Sequence, residues 1–242
     1  MLEKILDYEE GAFLWLNSYH APFGNQFMWL FSGKIFWIPL ATLFIFMLFY
    51  KNRKHWKETL LVLAAIALVI TLCDQFASGI CKPMFTRFRP THHPEFMDKV
   101  QTVFDYRGGR FGFISGHAAN AFGFATLTSL IFRYRFYSVA LYLWATINSY
   151  SRIYLGVHFI SDIIPGIVAG LLFGWIIYKL FVIARRKALA DKTVGNDLPS
   201  ISCACSHKRL DIILYMLIFT VVVMLIISLL YALKFIPPIT IK

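Results

Sequence analysis

Residues 211–232 read DIILYMLIFTVVVMLIISLLYA, and Asp211 is the one charged residue in this stretch. A helix that crosses a membrane needs about 20 consecutive, mostly apolar residues, because the hydrocarbon core is about 30 Å thick. Backbone polar groups inside that core must be hydrogen-bonded internally, which a helix achieves within one segment. The stretch therefore predicts a membrane-spanning helix.

The composition of the whole chain agrees with this prediction. Of 242 residues, 58% are hydrophobic and 15% are charged, and the mean hydropathy is +0.62. Soluble domains are about half apolar and about a quarter charged, so these values exclude a soluble domain, a disordered chain and a coiled coil. We expect one all-α domain over residues 1–242, a polytopic bundle of six membrane helices at about 27–50, 57–79, 117–132, 137–155, 160–183 and 211–232.

Two segments lie outside these predicted spans. Residues 1–20 carry apolar side chains at roughly helical spacing and several acidic ones, which predicts an amphipathic helix on the membrane surface. Residues 184–210 form the most linker-like stretch, expected to be a cytoplasmic loop. Its Cys203, Cys205 and His207 are too few and too closely spaced for a typical metal site, so we interpret the cysteines as free thiols.

The net charge of +11 is mostly a topology signal. Lys and Arg accumulate in cytoplasmic loops of membrane proteins. The three loops after the first, third and fifth spans contain twelve of the 24 basic residues and four of the 13 acidic ones, a net charge of +8. We therefore place these loops in the cytoplasm and the 80–116 loop on the outer face, and we expect no nucleic-acid partner.

Three polar clusters lie on the predicted outer face, each at the mouth of a span. They are Lys82 to Pro90, Ser115-Gly116-His117, and Ser151 to Asp162. Lys82, Arg89 and Arg152 supply cations suited to phosphate, and the Ser115-Gly116 amides at a helix start can bind an oxyanion. His158 and Asp162 are four residues apart, a spacing that places a carboxylate beside an imidazole on a helix.

Each cluster alone has a plainer interpretation. The cations can be interface anchors, Ser115 a helix cap, and His158 with Asp162 a structural pair. All three clusters on one side of the membrane favour a site that binds phosphate.

Together these motifs resemble the type-2 phosphatidate phosphatase superfamily, which also contains vanadium haloperoxidases and bacterial acid phosphatases. The signatures Lys-x6-Arg-Pro, Ser-Gly-His and Ser-Arg-x5-His-x3-Asp occur in the family's order within a core of residues 57–183. The predicted span 211–232 is an additional C-terminal span outside this core. Ile114 stands where the family usually has Pro, which alters the turn before Ser115 but removes no catalytic group.

The resemblance implies a role for each matching residue. His158 corresponds to a nucleophile that forms a phosphohistidine, Asp162 to the carboxylate that orients it, and His117 to the general acid and base. The phosphate pocket corresponds to Lys82, Arg89, Ser115, Gly116 and Arg152. The resemblance implies no metal and no cofactor.

Several alternatives stay open at this level. Arg87, Arg107 and Arg110 are candidates for headgroup contacts, and a flexible basic loop explains the last two equally well. We expect a membrane lipid phosphatase of the bacterial inner membrane, facing the periplasm, with lipid A or undecaprenyl diphosphate as substrate. A glycerophospholipid phosphatase and a non-catalytic lipid-binding or transport protein are the alternatives. No obligate protein partner is indicated.

Overall fold

The structure, a computed structural model, describes residues 2–52, 55–189 and 205–240. Its elements are helices, which confirms the all-α prediction for the described residues. They are α1 Leu2–Asn17, α2 Pro22–Ser32, α3 Ile38–Phe49, α4 Trp56–Asp74, α5 Lys82–Phe85, α6 Gly116–Phe132, α7 Arg135–Tyr154, α8 Ile160–Leu189 and α9 His207–Ala232. A π-helical turn, Gln75–Cys81, joins α4 to α5, and short 3-10 turns cover Ile35–Trp37 and Pro90–His92.

Three helical segments are long and apolar enough to span a membrane: Trp56–Phe85, Ile160–Ala188 and His207–Ala232. The pair Pro22–Ser32 and Ile35–Phe49 meets the same criteria together but bends by 62°. The first predicted span is thus corrected, because it begins earlier and breaks at Gly33 and Lys34. Predicted spans 117–132 and 137–155 exist as helices α6 and α7. Whether both helices cross the membrane is not decided by their length and composition, so the total of six spans stays a prediction.

The contact between α6 and α8 is the most extensive between two helices of the described residues, and small residues line it. Gly166, Gly170 and Gly174 lie one turn apart on α8 and face α6. A Cβ on Gly170 would collide with the carbonyl oxygen of Ala119 and lie 2.9 Å from the amide nitrogen of Gly123. Membrane helices approach closely through such small residues. The contact fixes the start of α6 beside the start of α8.

The turn between α7 and α8 also depends on a glycine. Gly156 has φ +71°, and a Cβ there would meet the side chain of Val100 at 2.5 Å. Glycine alone adopts this backbone conformation without a steric penalty. The turn that follows carries His158 and leads directly into α8.

Helix α1 exists as predicted, but its apolar side packs on protein. Leu6 and Phe13 are buried, and the Phe13 ring lies 5.1 Å from the Phe159 ring, centroid to centroid. The Asn17 amide donates hydrogen bonds to the carbonyl oxygens of Ile153 and Tyr154, at 3.1 and 3.0 Å. Helix α1 is therefore attached to α7 and to the turn before α8, and its position on the membrane surface stays a prediction.

The helix ends that flank the basic loops gather at the opposite end of the bundle. Arg185, near the end of α8, pairs with Glu58 at the start of α4 at 2.7 Å. Arg209 of α9 donates to the carbonyl oxygen of Tyr50, after α3, at 2.9 Å. Cys205 is buried there as a free thiol, and Cys203 lies outside the described residues.

We predict that Gly170→Ala destabilises the protein, because the new methyl group has no space against α6. Overpacked sites typically cost about 1–3 kcal/mol. Thermal unfolding of the purified protein in detergent measures the effect. The control is Gly11→Ala on α1, where a Cβ meets nothing within 4 Å. An unchanged melting temperature for Gly170→Ala would show that the contact is looser than described.

Candidate active site

The three polar clusters converge at one end of the bundle. Their side chains lie at the start of α5, the start of α6, the end of α7 and the turn before α8. A cavity of about 560 Å³ opens onto them, lined at this end by Lys82, Arg89, Gly116, His117 and His158. A second cavity of about 640 Å³ meets the first at His117 and is lined also by Arg152. Ser115 and Asp162 are buried behind these residues.

His158 and Asp162 are neighbours, but they do not share a helix. His158 precedes α8, whereas Asp162 lies in its first turn. The prediction that helical spacing brings the two side chains together is therefore wrong. Asp162 Oδ2 lies 3.4 Å from His158 Nδ1, longer than a normal hydrogen bond. The turn folds back because Oδ2 also accepts from the Phe159 amide at 3.0 Å.

Asp162 also connects two of the clusters through its backbone. The Ser115 amide donates to the Asp162 carbonyl oxygen at 2.9 Å. The Ser115 hydroxyl accepts from the Ala118 amide and caps α6. The Phe113–Ile114 peptide is cis, and the Ile114 side chain is buried beside Ala77, Cys81 and Ala169.

Arg87 is not a surface residue available to a headgroup, which corrects that expectation. It is 2% exposed and forms ion pairs with Asp162, at 2.8 Å, and Glu9, at 2.9 Å. Two carboxylates compensate its buried charge, as burial of a charge requires. Arg87 therefore supports the site from behind.

Arg89 and Arg152 are buried differently. In the described part of the chain their hydrogen-bond partners are neutral: Phe111 and Val157 carbonyl oxygens for Arg89, and the Ser32 and Tyr106 hydroxyls for Arg152. Burial, followed by the nearby Arg152 charge, lowers the pKa of Arg89 to about 10, so it stays charged at neutral pH. Two buried cations with no carboxylate of the described residues within ion-pair distance favour an anionic ligand.

The surrounding cations also act on His158. Its side chain is 1% exposed. Burial, followed by the charges of Arg89, Arg152 and Lys82, holds the pKa of His158 well below its usual value. The imidazole is therefore neutral at neutral pH, with a lone pair available on one ring nitrogen.

Other residues reach the site that the sequence motifs did not indicate. Lys34, at the break between α2 and α3, lines both cavities, and Asp74 and Asn120 line the first. Lys82 Nζ donates to Ser78 at 3.0 Å. In the sequence, Lys34 and Asp74 stand out because they are charged residues within predicted spans. Such residues normally face a protein interior or a cavity.

The remaining candidates lie apart from both cavities. Arg107 and Arg110 are exposed on the loop before α6, and the Arg110 guanidinium lies 5.1 Å from the Phe88 ring centroid. Within the described ranges no group of three or more His, Cys, Asp or Glu side chains is arranged to hold a metal ion. The arrangement thus offers cations, the start of α6 and two histidines where the two cavities adjoin.

Comparison with known proteins agrees with this chemistry. A family model described as the PAP2 superfamily matches residues 59–186. A lipid A 4'-phosphatase of Porphyromonas gingivalis is 47% identical over 188 residues, which cover 78% of this chain and 79% of that protein. A lipid A 4'-phosphatase of Bacteroides thetaiotaomicron is 37% identical over 217 residues, 89% of this chain and 92% of the relative.

A solved structure, the crystal structure of Aquifex aeolicus LpxE, is similar in fold. The TM-score is 0.50 at 26% sequence identity, over 71% of this chain and 95% of that one. Three observations point to the same family. The family model matches more than half of the chain, the two relatives are 47% and 37% identical, and the three motifs meet in one site. The chain belongs to the PAP2 superfamily, among its membrane-bound bacterial lipid phosphatases.

Proposed function

We propose that this protein removes a phosphate from lipid A through a phosphohistidine formed on His158. The observation that carries the proposal is the cavity, whose polar end holds the histidines and cations and whose other end is apolar. Its apolar lining comes from α3, α4, α6, α7 and α9 and includes Phe44, Ile66, Phe124, Leu141 and Leu217. Such a cavity suits a phosphate attached to an acylated molecule.

Among lipid phosphates, the relatives favour lipid A. Both are named lipid A 4'-phosphatase, and together their matches extend over most of the chain. We therefore rank lipid A above undecaprenyl diphosphate and above the glycerophospholipid monoesters.

The chemistry requires two displacement steps. His158 Nε2 attacks phosphorus as the bond to the lipid oxygen breaks, and His117 donates its proton to that leaving oxygen. In the second step His117 accepts a proton from a water molecule. The water oxygen attacks phosphorus, the bond between phosphorus and His158 Nε2 breaks, and inorganic phosphate is released. Asp162 stabilises the imidazole charge from the Nδ1 side.

Positive charge around the phosphate lowers the barrier of both steps. Lys82, Arg89 and Arg152 neutralise the oxygens of the transferred group, and the Gly116 amide lies at the positive end of α6. Ser115 fixes this helix start. These groups act through preorganised charge, which is worth more in a water-poor site than in solution.

We propose that the site faces the periplasm from the inner membrane. Residues that flank the basic loops contact one another at the end of the bundle opposite the site, as the Arg185–Glu58 and Arg209–Tyr50 contacts indicate. The positive-inside rule then places that end in the cytoplasm.

This orientation predicts that a reporter fused after Lys187 stays cytoplasmic. An alkaline phosphatase and a fluorescent protein fusion at this position give opposite signals on the two sides of the membrane. Periplasmic activity of the alkaline phosphatase fusion would reverse the orientation and place the site in the cytoplasm.

The mechanism predicts that His158→Ala loses phosphate release by at least about a thousand-fold, because no nucleophile remains. Phosphate release is measured with lipid A, undecaprenyl diphosphate and phosphatidate, and kcat/KM should be highest for lipid A. His55→Ala, at the exposed start of α4, is the control and should retain activity. Activity retained by His158→Ala would refute the mechanism, and a higher kcat/KM for another lipid would refute the substrate.

The apolar end of the cavity predicts a selective effect of Ile66→Trp. The added ring occupies space meant for an acyl chain, so KM for acylated substrates should rise several-fold. Hydrolysis of a short, water-soluble phosphate ester should change little. Leu68→Trp, two residues along the same helix and 44% exposed outside the cavity lining, is the matched control. Equal effects on both substrate types would argue against acyl binding here.

A further inference from the structure

Glu9 of α1 is a buried carboxylate that contacts the supporting side of the site. It is 8% exposed. Its Oε1 accepts from Arg87 Nη2 at 2.9 Å and from the Ser161 hydroxyl, and its Oε2 accepts from the Ser161 amide at 2.8 Å. Glu9 lies outside the residues matched by the family model and outside the three signatures. Its contacts therefore join α1 to the start of α8.

Arg87 connects Glu9 to Asp162. The Arg87 Nη1 donates to Asp162 Oδ1 at 2.8 Å and to Ser161 Oγ at 2.7 Å. Its guanidinium carbon lies 4.8 Å from the Phe159 ring centroid, which restricts its rotation. The side chains of Arg87 and Asp162 are 1% and 0% exposed, so water does not screen this chain of contacts.

The charges of Glu9, Arg87 and Asp162 do not cancel. Two carboxylates, Glu9 and Asp162, share the single positive charge of Arg87, which leaves a net charge of −1. Asp162 Oδ2 is the part of the chain nearest to the catalytic imidazole, 3.4 Å from His158 Nδ1. The residual negative charge therefore stabilises the positive charge that His158 acquires as it becomes phosphorylated.

We propose that Glu9 is a positioning residue of this phosphatase, which by sharing Arg87 with Asp162 keeps the negative charge of Asp162 directed at His158. The inference rests on the proposed role of His158 as nucleophile. Without Glu9 the Arg87 guanidinium would pair with Asp162 alone, and that ion pair would have no net charge. His158 would then be a weaker nucleophile, although Glu9 itself lines neither cavity.

Other charged and titratable groups also face His158. They are Lys82 from α5, Arg89 from the following loop, His117 from α6 and Arg152 from α7. The cations all oppose protonation of His158, whereas Asp162 on α8, with Arg87 and Glu9 behind it, favours it. Replacing Glu9 by a neutral residue thus changes one contribution of known sign and leaves the others in place.

The test is Glu9→Gln in the full-length protein in detergent micelles, with lipid A as substrate. Gln keeps the size of the side chain, and its one amide oxygen can still accept on the side that faces Arg87. We expect kcat to fall about ten-fold with little change in KM. The acid limb of the kcat/KM profile, which the mechanism assigns to protonation of His158, should move to lower pH, since loss of a negative charge lowers the pKa of His158 further.

The matched control is Glu10→Gln at the next position. Glu10 pairs with Lys99 at 2.7 Å, but both side chains are exposed, at 38% and 53%, and exposed pairs contribute little. Its kcat and pH profile should equal those of the wild type. Glu9→Asp, which restores the charge on a shorter side chain, should recover the position of the acid limb.

Three results would overturn the inference. They are a wild-type kcat for Glu9→Gln, an equal loss at every pH without a shift of the acid limb, and a loss explained by a lower melting temperature. His158→Ala separates this failure from that of the mechanism. If His158→Ala is inactive while Glu9→Gln resembles the wild type, only the role of Glu9 is wrong. If His158→Ala is active, the proposed mechanism is wrong as well.

Discussion

The close contact between α6 and α8 is the constraint on which the site depends. Glycines on α8 allow its backbone to approach that of α6, so that the Ser115 amide reaches the Asp162 carbonyl oxygen at 2.9 Å. This single hydrogen bond joins the second and third signatures. It brings the positive start of α6 and His117 to the same cavity as His158, whereas bulkier side chains on α8 would separate them.

Burial of three arginines is the second constraint, and the structure resolves it in two ways. Arg87 is neutralised by Glu9 and Asp162, so it serves as a rigid support. Arg89 and Arg152 meet only neutral oxygen atoms among the described residues. Their uncompensated charge is stabilising only when an anion occupies the space between them, which is the electrostatic basis of the proposed phosphate binding. Burial and the same charges hold the pKa of His158 well below its usual value, so its imidazole is neutral.

Elements outside the 59–186 core adapt this general site to its substrate. The break between α2 and α3 brings Lys34 to the junction of the two cavities, and α3 and α9 complete the apolar wall. Helix α1 adds Glu9 behind His158 and Asp162. The region matched by the family model contains the three signatures, and the added helices line the apolar part of the cavity.

The amino-acid sequence by itself determined the membrane class, most helix positions and the motif residues, because apolar length and local spacing are properties of the chain alone. It also predicted that His117, His158 and the cations Lys82, Arg89 and Arg152 share one site, and the structure brings them to two adjoining cavities, while their roles stay predictions. Only the tertiary structure showed that Arg87 is buried, that the first span bends at Lys34, and that His158 meets Asp162 through a turn. Contacts such as Glu9–Arg87 join residues 78 positions apart. No local periodicity encodes such contacts, since they arise when helices pack.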